Sequence, residues 1–208
     1  MDDDGNILVA DSGNNRIQKF TSAGKFTKAV GKGGNKPLEF SNPLGIAICQ
    51  KIYVSDVLNH RIQILNPDLT FFSSFGCKGS ENGQFHCPWD VACDNTGKVY
   101  VADSGNHRIQ VFTADGQFLR KFGNLKKSNG NGELDWPASI SIDSENMVYV
   151  TEHNNHRVSV FTCEGKSVMS FGTEGNGPGQ FAFPRGIAVD KNGVVYVSDM
   201  NNNRLQFF

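Results

Sequence analysis

Two tryptophans and an arginine stand beside prolines in this 208-residue chain: Trp89 follows Pro88, Trp136 precedes Pro137 and Arg185 follows Pro184. An indole face or a guanidinium placed there can stack on, or clamp, an unpaired base. Lys32, Lys36, Lys78, Lys126 and Lys127 lie in Gly-rich stretches ahead of the same kind of proline, where they can meet phosphates. His60, His107 and His156 each stand directly before an arginine, which invites a metal reading. Equivalent positions in neighbouring stacked sheets lie roughly 10 Å apart or more, whereas zinc holds its donors at about 2 Å. The three therefore read as loop histidines, and His153 with His156 is a close pair lacking a third ligand. The binding set is Trp89, Trp136, Arg185, Lys126, Lys127 and His107, with no metal and no cofactor expected.

Composition narrows the partners. The formal net charge is −1, with 38% hydrophobic and 20% charged residues, so overall charge favours neither nucleic acid nor a membrane surface. DNA and membrane partners are not expected; an RNA of defined structure, or a protein, is. The five cysteines are odd in number and form no C-x-x-C pair, which speaks against cysteine-held zinc and a disulfide framework. There is no N-x-[ST] sequon, no signal-peptide pattern and no apolar run of about 18 residues. The expected setting is a reducing compartment, the cytoplasm.

These residues are positioned by a repeat. Arg16, Arg61, Arg108, Arg157 and Arg204 recur at steps of 45, 47, 49 and 47 residues. Each period opens on a proline and an apolar run, such as "PRGIAVD" from Pro184. A polar turn leads to an alternating strand, "VVYVSD", then a tight loop and a second strand such as "RIQVF". Another turn and a short strand ending in Phe-Gly close the period, as in "FLRKFG" at 118–123. That makes four short strands, a to d, and no sustained 3.6-residue period for a helix. Four antiparallel strands in 40–50 residues is the period of a propeller blade. The repeats span about 1–31, 40–76, 85–123, 134–172 and 181–208, the first lacking strand a and the last strand d. The strand count is eighteen.

Between strands b and c an acid faces an arginine: Asp11 with Arg16, Asp56 with Arg61, Asp103 with Arg108, Glu152 with Arg157 and Asp199 with Arg204. Such cross-strand pairs hold hairpins. Asn106, inside one of these loops, is a residue type that tolerates positive φ.

The wording "P-x-G-I-A-V-D…G-x-V-Y-V-x-D…N-x-R-I-Q-x-F", nearly complete at 184–208, resembles the NHL repeat, and the resemblance covers the whole chain. "FHCPWDVACDNTGKVYVADSGNHRIQVF" at 85–112 is most similar to the C-terminal propeller of the tripartite-motif NHL family. The resemblance implies an all-β propeller, of which this chain would be a part, since such propellers usually have six blades. The missing partner strands are expected upstream of Met1. It also implies a recognition module for RNA or protein targets, in a parent linked to E3 ubiquitin ligation or mRNA repression.

In a propeller, strand a lines the central channel, and the d–a and b–c loops share one face. The residues beside the repeat prolines fall at the channel mouth of that face. Strand a is apolar throughout, from Ile46 and Ile48 to Ile187 and Val189, and no Ser/His/Asp or Cys/His spacing signals catalysis. The Gly-rich loops precede no helix, so they are turns and not phosphate cradles. The alternative is a metal-dependent enzyme resembling the peptidyl-hydroxyglycine amidating lyases, which requires channel-facing ligands.

Overall fold

A computed structural model of the chain describes residues 2, 4–123, 130 and 132–208. Five antiparallel sheets follow one another, each ordered as the chain runs. Blade 1 holds Ile7–Asp11, Arg16–Phe20 and Phe26–Val30, its strands b, c and d. Blade 2 holds Pro43–Ile48, Ile52–Asp56, Arg61–Leu65 and Phe71–Phe75. Blade 3 holds Pro88–Cys93, Val99–Asp103, Arg108–Phe112 and Phe118–Gly123. Blade 4 holds Pro137–Ile142, Val148–Glu152, Arg157–Phe161 and Ser167–Phe171. Blade 5 holds Pro184–Val189, Val195–Asp199 and Arg204–Phe207, its strands a, b and c. The architecture is a propeller arc of five antiparallel blades, the middle three with four strands each. Among the described residues no helix is long and apolar enough to cross a membrane.

Four hydrophobic cores lie between consecutive blades, and among the described residues none joins blade 5 to blade 1. Blade 5 accordingly leaves Leu205 and Phe207 exposed. Strand a stands edge-on to the channel, so its side chains alternate between the two neighbouring blades. This corrects the expectation of an apolar channel lining. Val91, Ile140 and Ile187 belong to the interblade cores, as do Ile46, Ile48, Ile142 and Val189.

Two further expectations are corrected. In the b–c hairpin the left-handed residue is His107 (φ 53), not Asn106. Asn106 closes a three-residue 3-10 turn. There its Nδ2 donates to both Asp103 carboxylate oxygens and to the Gly79 carbonyl, which needs right-handed backbone. The cysteines are not all free either. Cys49 and Cys93 form a disulfide across a Cα separation of 6.6 Å, tying blade 2 to blade 3. Cys77, Cys87 and Cys163 carry free thiols.

Candidate recognition site at the channel mouth

The residue before each repeat proline is left-handed: Asn42 (φ 56), Cys87 (φ 52), Trp136 (φ 50) and Phe183 (φ 54). This region is unfavourable for a bulky side chain, and more so before proline. It is held from the preceding blade. Asn15 Oδ1 accepts the Asn42 N–H at 2.8 Å. His60 Nδ1 accepts that of Cys87, His107 Nδ1 that of Trp136 and His156 Nδ1 that of Phe183, each at 3.1 Å. The histidines are thus pins between blades, each with a ring nitrogen engaged.

Hydroxyl groups fix the next residues. Ser55 Oγ donates to the Trp89 carbonyl at 3.0 Å and Thr151 Oγ1 to the Arg185 carbonyl at 2.6 Å. Strand a then bulges against strand b just after each proline, for example between Pro88 and Asp90. The bulge turns the following side chains toward the mouth.

The hairpin pairs hold the loops behind this face. Nε of Arg16, Arg61, Arg108, Arg157 and Arg204 meets Asp11, Asp56, Asp103, Glu152 and Asp199 at 2.6–2.8 Å. Arg108 Nη2 also donates to the carbonyls of Glu81 and Gln84, in the d–a loop leading into its own blade. Arg61, Arg157 and Arg204 make the same kind of bond. Among the described residues Arg16 finds no such carbonyl, and its side chain is 41% exposed against 1% for Arg108.

Three of the sequence-derived residues meet at the mouth, and a fourth, His107, stands beside them. Trp89 and Trp136 pack edge to face with ring centres 5.6 Å apart. The Arg185 guanidinium lies over Trp89 at 5.2 Å. His107 packs on the rim of Trp136 at 6.1 Å. Lys126 and Lys127 lie outside the described residues. Lys32, Lys36 and Lys78 are exposed on other d–a loops, with Lys32 reaching Glu39 at 3.4 Å.

Two residues were not assigned to the mouth from the sequence: His153, read there only as a neighbour of His156, and Asp90. His153 bridges Trp89 (5.7 Å) and Phe183 (4.9 Å), with the Pro184 backbone beside its ring. Desolvation holds its pKa below the ordinary imidazole value. Asp90 occupies a position that is glycine or serine in the other repeats. Its Oδ2 accepts from Ser139 Oγ (2.6 Å) and Ile140 N (2.9 Å), joining blade 3 to blade 4. Desolvation pushes the Asp90 carboxyl up, against the pull of these bonds. Gly45 makes room for it, since a Cβ there would stand 2.3 Å from Asp90 Oδ1.

Trp89, Asp90, Ser139, Arg185 and Ser198 border a cavity of about 330 Å³ spanning the channel. The arrangement offers an aromatic wall, one guanidinium and one shielded carboxyl, which can bind and orient a ligand. Among the described residues no three His, Cys, Asp or Glu side chains gather as metal ligands.

The NHL repeat pattern matches residues 1–20, 85–112, 134–161 and 181–208. Among solved structures, the whole chain superposes on 67% of virginiamycin B lyase from Staphylococcus aureus, with a TM-score of 0.70 and 16% identity. A streptogramin B lyase gives 0.70 at 18% identity, with 100% of this chain on 66% of that one. A chain of a nidogen/laminin complex gives 0.74 at 17% identity, with 99% of this chain on 72% of that one. The chain spans about two thirds of the lyases' length, and at such identities the likeness is one of fold. With the repeat pattern matched over half its residues and blades to correspond, the chain belongs to the NHL-repeat family.

Proposed function

We propose that the chain is a recognition module that binds a macromolecular partner, foremost a protein segment, at the channel mouth. One observation carries this: Trp89, Trp136, Phe183 and Arg185 are brought together from three blades by backbone pinned in a costly conformation. Aromatic and arginine side chains at a concave, partly buried centre are the composition of interface hot spots. The single guanidinium there and the net charge of −1 favour a polypeptide over a polyanion.

RNA is the second reading, supported by Arg185 lying over Trp89 and by lysines on the d–a loops. The likeness of residues 85–112 to the tripartite-motif NHL propellers supports a parent linked to ubiquitin ligation or mRNA repression. That likeness also favours the cytoplasm, while the Cys49–Cys93 disulfide weighs toward an oxidising setting. The lyases among the fold neighbours lend support to the enzyme alternative.

The test is parallel selection from peptide and RNA libraries, followed by binding to a Trp89→Ala/Arg185→Ala variant. A selected peptide that loses at least about tenfold on the variant supports the protein reading. A selected RNA whose affinity falls steeply with salt supports the RNA reading. Ligands that bind parent and variant alike would remove the mouth as the site. Metal content and turnover measured on the purified chain address the lyase alternative.

A further inference from the structure

His107 Nδ1 has two neighbours that make opposite demands. The Trp136 N–H donates to it at 3.1 Å, and Asp135 Oδ1 lies 3.1 Å from the same atom. A neutral imidazole with its hydrogen on Nε2 offers a lone pair at Nδ1 and satisfies Trp136. A protonated imidazole carries a hydrogen at Nδ1, which donates to the Asp135 carboxylate and repels the Trp136 N–H. One proton therefore exchanges a backbone partner for an ionic one. Trp136 sits at φ 50 ahead of Pro137, where the backbone resists staying once its N–H is released.

The other pins lack this conflict. Asn15 holds Asn42 with an amide oxygen, which does not titrate. His60 and His156 hold Cys87 and Phe183, which follow His86 and Ala182 where Trp136 follows Asp135. We propose that His107 is a positioning residue for Trp136, and that its protonation frees Trp136 from the channel mouth and weakens binding there. The effect on binding rests on the mouth being the recognition site; the movement of Trp136 does not.

Among the described residues the groups around His107 are few. Asp135 is buried, and Asn154 Nδ2 donates to the same Oδ1 at 3.1 Å. Asp103 and Arg108 of its own hairpin engage each other at 2.7 Å. His153, on the blade 4 hairpin, feels the Asp135 charge and touches Trp89, so among the described residues its titration is the signal that would imitate the effect.

Trp89 and Trp136 are the chain's two tryptophans, so a Trp89→Phe variant leaves Trp136 as sole reporter. Between about pH 8 and about pH 5, its emission and near-ultraviolet dichroism should change while far-ultraviolet dichroism holds. The midpoint should coincide with the His107 imidazole resonance followed by NMR. His107→Asn, the solution blade 1 already uses at Asn15, should keep the fold and abolish the change. Asp135→Asn removes the acceptor to which the protonated ring turns, and should shrink the change at Trp136. Persistence of the change in His107→Asn would assign it to His153 and overturn the proposal, as would titration of His107 with no response from Trp136. If Trp136 responds but a mouth ligand binds equally well at both pH values, the recognition site is misplaced and the switch stands.

Discussion

Gly116, in the c–d turn of blade 3, lies against the ring of Phe75 from blade 2; a Cβ on it would stand 2.6 Å from Phe75 Cδ1. Gly165 meets Phe122 at the same distance one blade further on. The turn that ends strand c of one blade is therefore seated on the outer strand of the blade before it. Gly24 holds the same turn position in blade 1 and has open space around it.

Gly116→Ala and Gly24→Ala make a matched pair. Both positions have positive φ, 89 and 78, so both substitutions carry the left-handed penalty of about 1 kcal/mol. Only Gly116→Ala adds a clash with a packed ring, about 1–3 kcal/mol more. Thermal melts of the two variants should differ accordingly. Equal melting points would mean that blades 2 and 3 are not docked through this turn.

Arg108→Ala and Arg16→Ala test what the hairpin pairs do. Removing Arg108 strands the Asp103 carboxylate, which is fully buried and whose pKa desolvation already raises despite its bonds. It also frees the carbonyls of Glu81 and Gln84. The expected loss is about 3–5 kcal/mol. Arg16, half-exposed and bound among the described residues to Asp11 alone, should shift the melting point little. Denaturant unfolding of the two variants decides it; comparable losses would show that burial of the pair is not what matters.

The strands and hairpin pairs were legible because the chain writes them five times, and repetition separates scaffold from accident. Trp89, Trp136 and Arg185 were legible for the opposite reason, as varying residues in fixed surroundings. The pins were missed because their partners lie in another blade: His60 reaches Cys87 and His156 reaches Phe183 across 27 residues, and Asn15 reaches Asn42 across the same span. A near-constant offset between the residue before arginine and the residue before proline was the available signal, 27 residues in three repeats and 29 between His107 and Trp136. Asp90 hid by standing where a glycine usually does, and only a neighbouring glycine, Gly45, explains how it fits. The Cys49–Cys93 bond spans 44 residues, close to one repeat, so comparing the cysteines repeat by repeat would have placed them on adjacent inner strands.

Cys49→Ser or Cys93→Ser should lower stability by up to about 4 kcal/mol, the loop-entropy figure for a ring of this size. A reductant should bring the parent to the same melting point and leave the variants unchanged. Alkylation under native, non-reducing conditions with mass analysis should find Cys77, Cys87 and Cys163 modified and the other two protected. Five modified cysteines in the oxidised, folded chain would sink the assignment.

Asp90 sets a pH dependence with a definite sign. Desolvation raises its carboxyl above the ordinary carboxylate value in the folded chain. Between that ordinary value and the raised one the folded state binds more protons than the unfolded state, so the contribution of Asp90 to stability falls as pH rises through this window. Asp94 and Asp199 act in reverse, since hydrogen bonds hold both below the ordinary value despite desolvation, and the stability they give is lost on acidification. Those effects are common to the parent and to Asp90→Asn, so the difference between the two isolates Asp90. Relative to Asp90→Asn, the parent should gain stability as pH is lowered from neutrality toward the ordinary carboxylate range. Asp90→Ala, which leaves Ser139 Oγ and the Ile140 N–H without their acceptor, should be less stable than either by about 1–3 kcal/mol. Unfolding free energies of the three proteins across that pH range provide the measurement. A stability of the parent relative to Asp90→Asn that stays flat, or that falls on acidification, would show that Asp90 is an ordinary solvated carboxylate at the mouth.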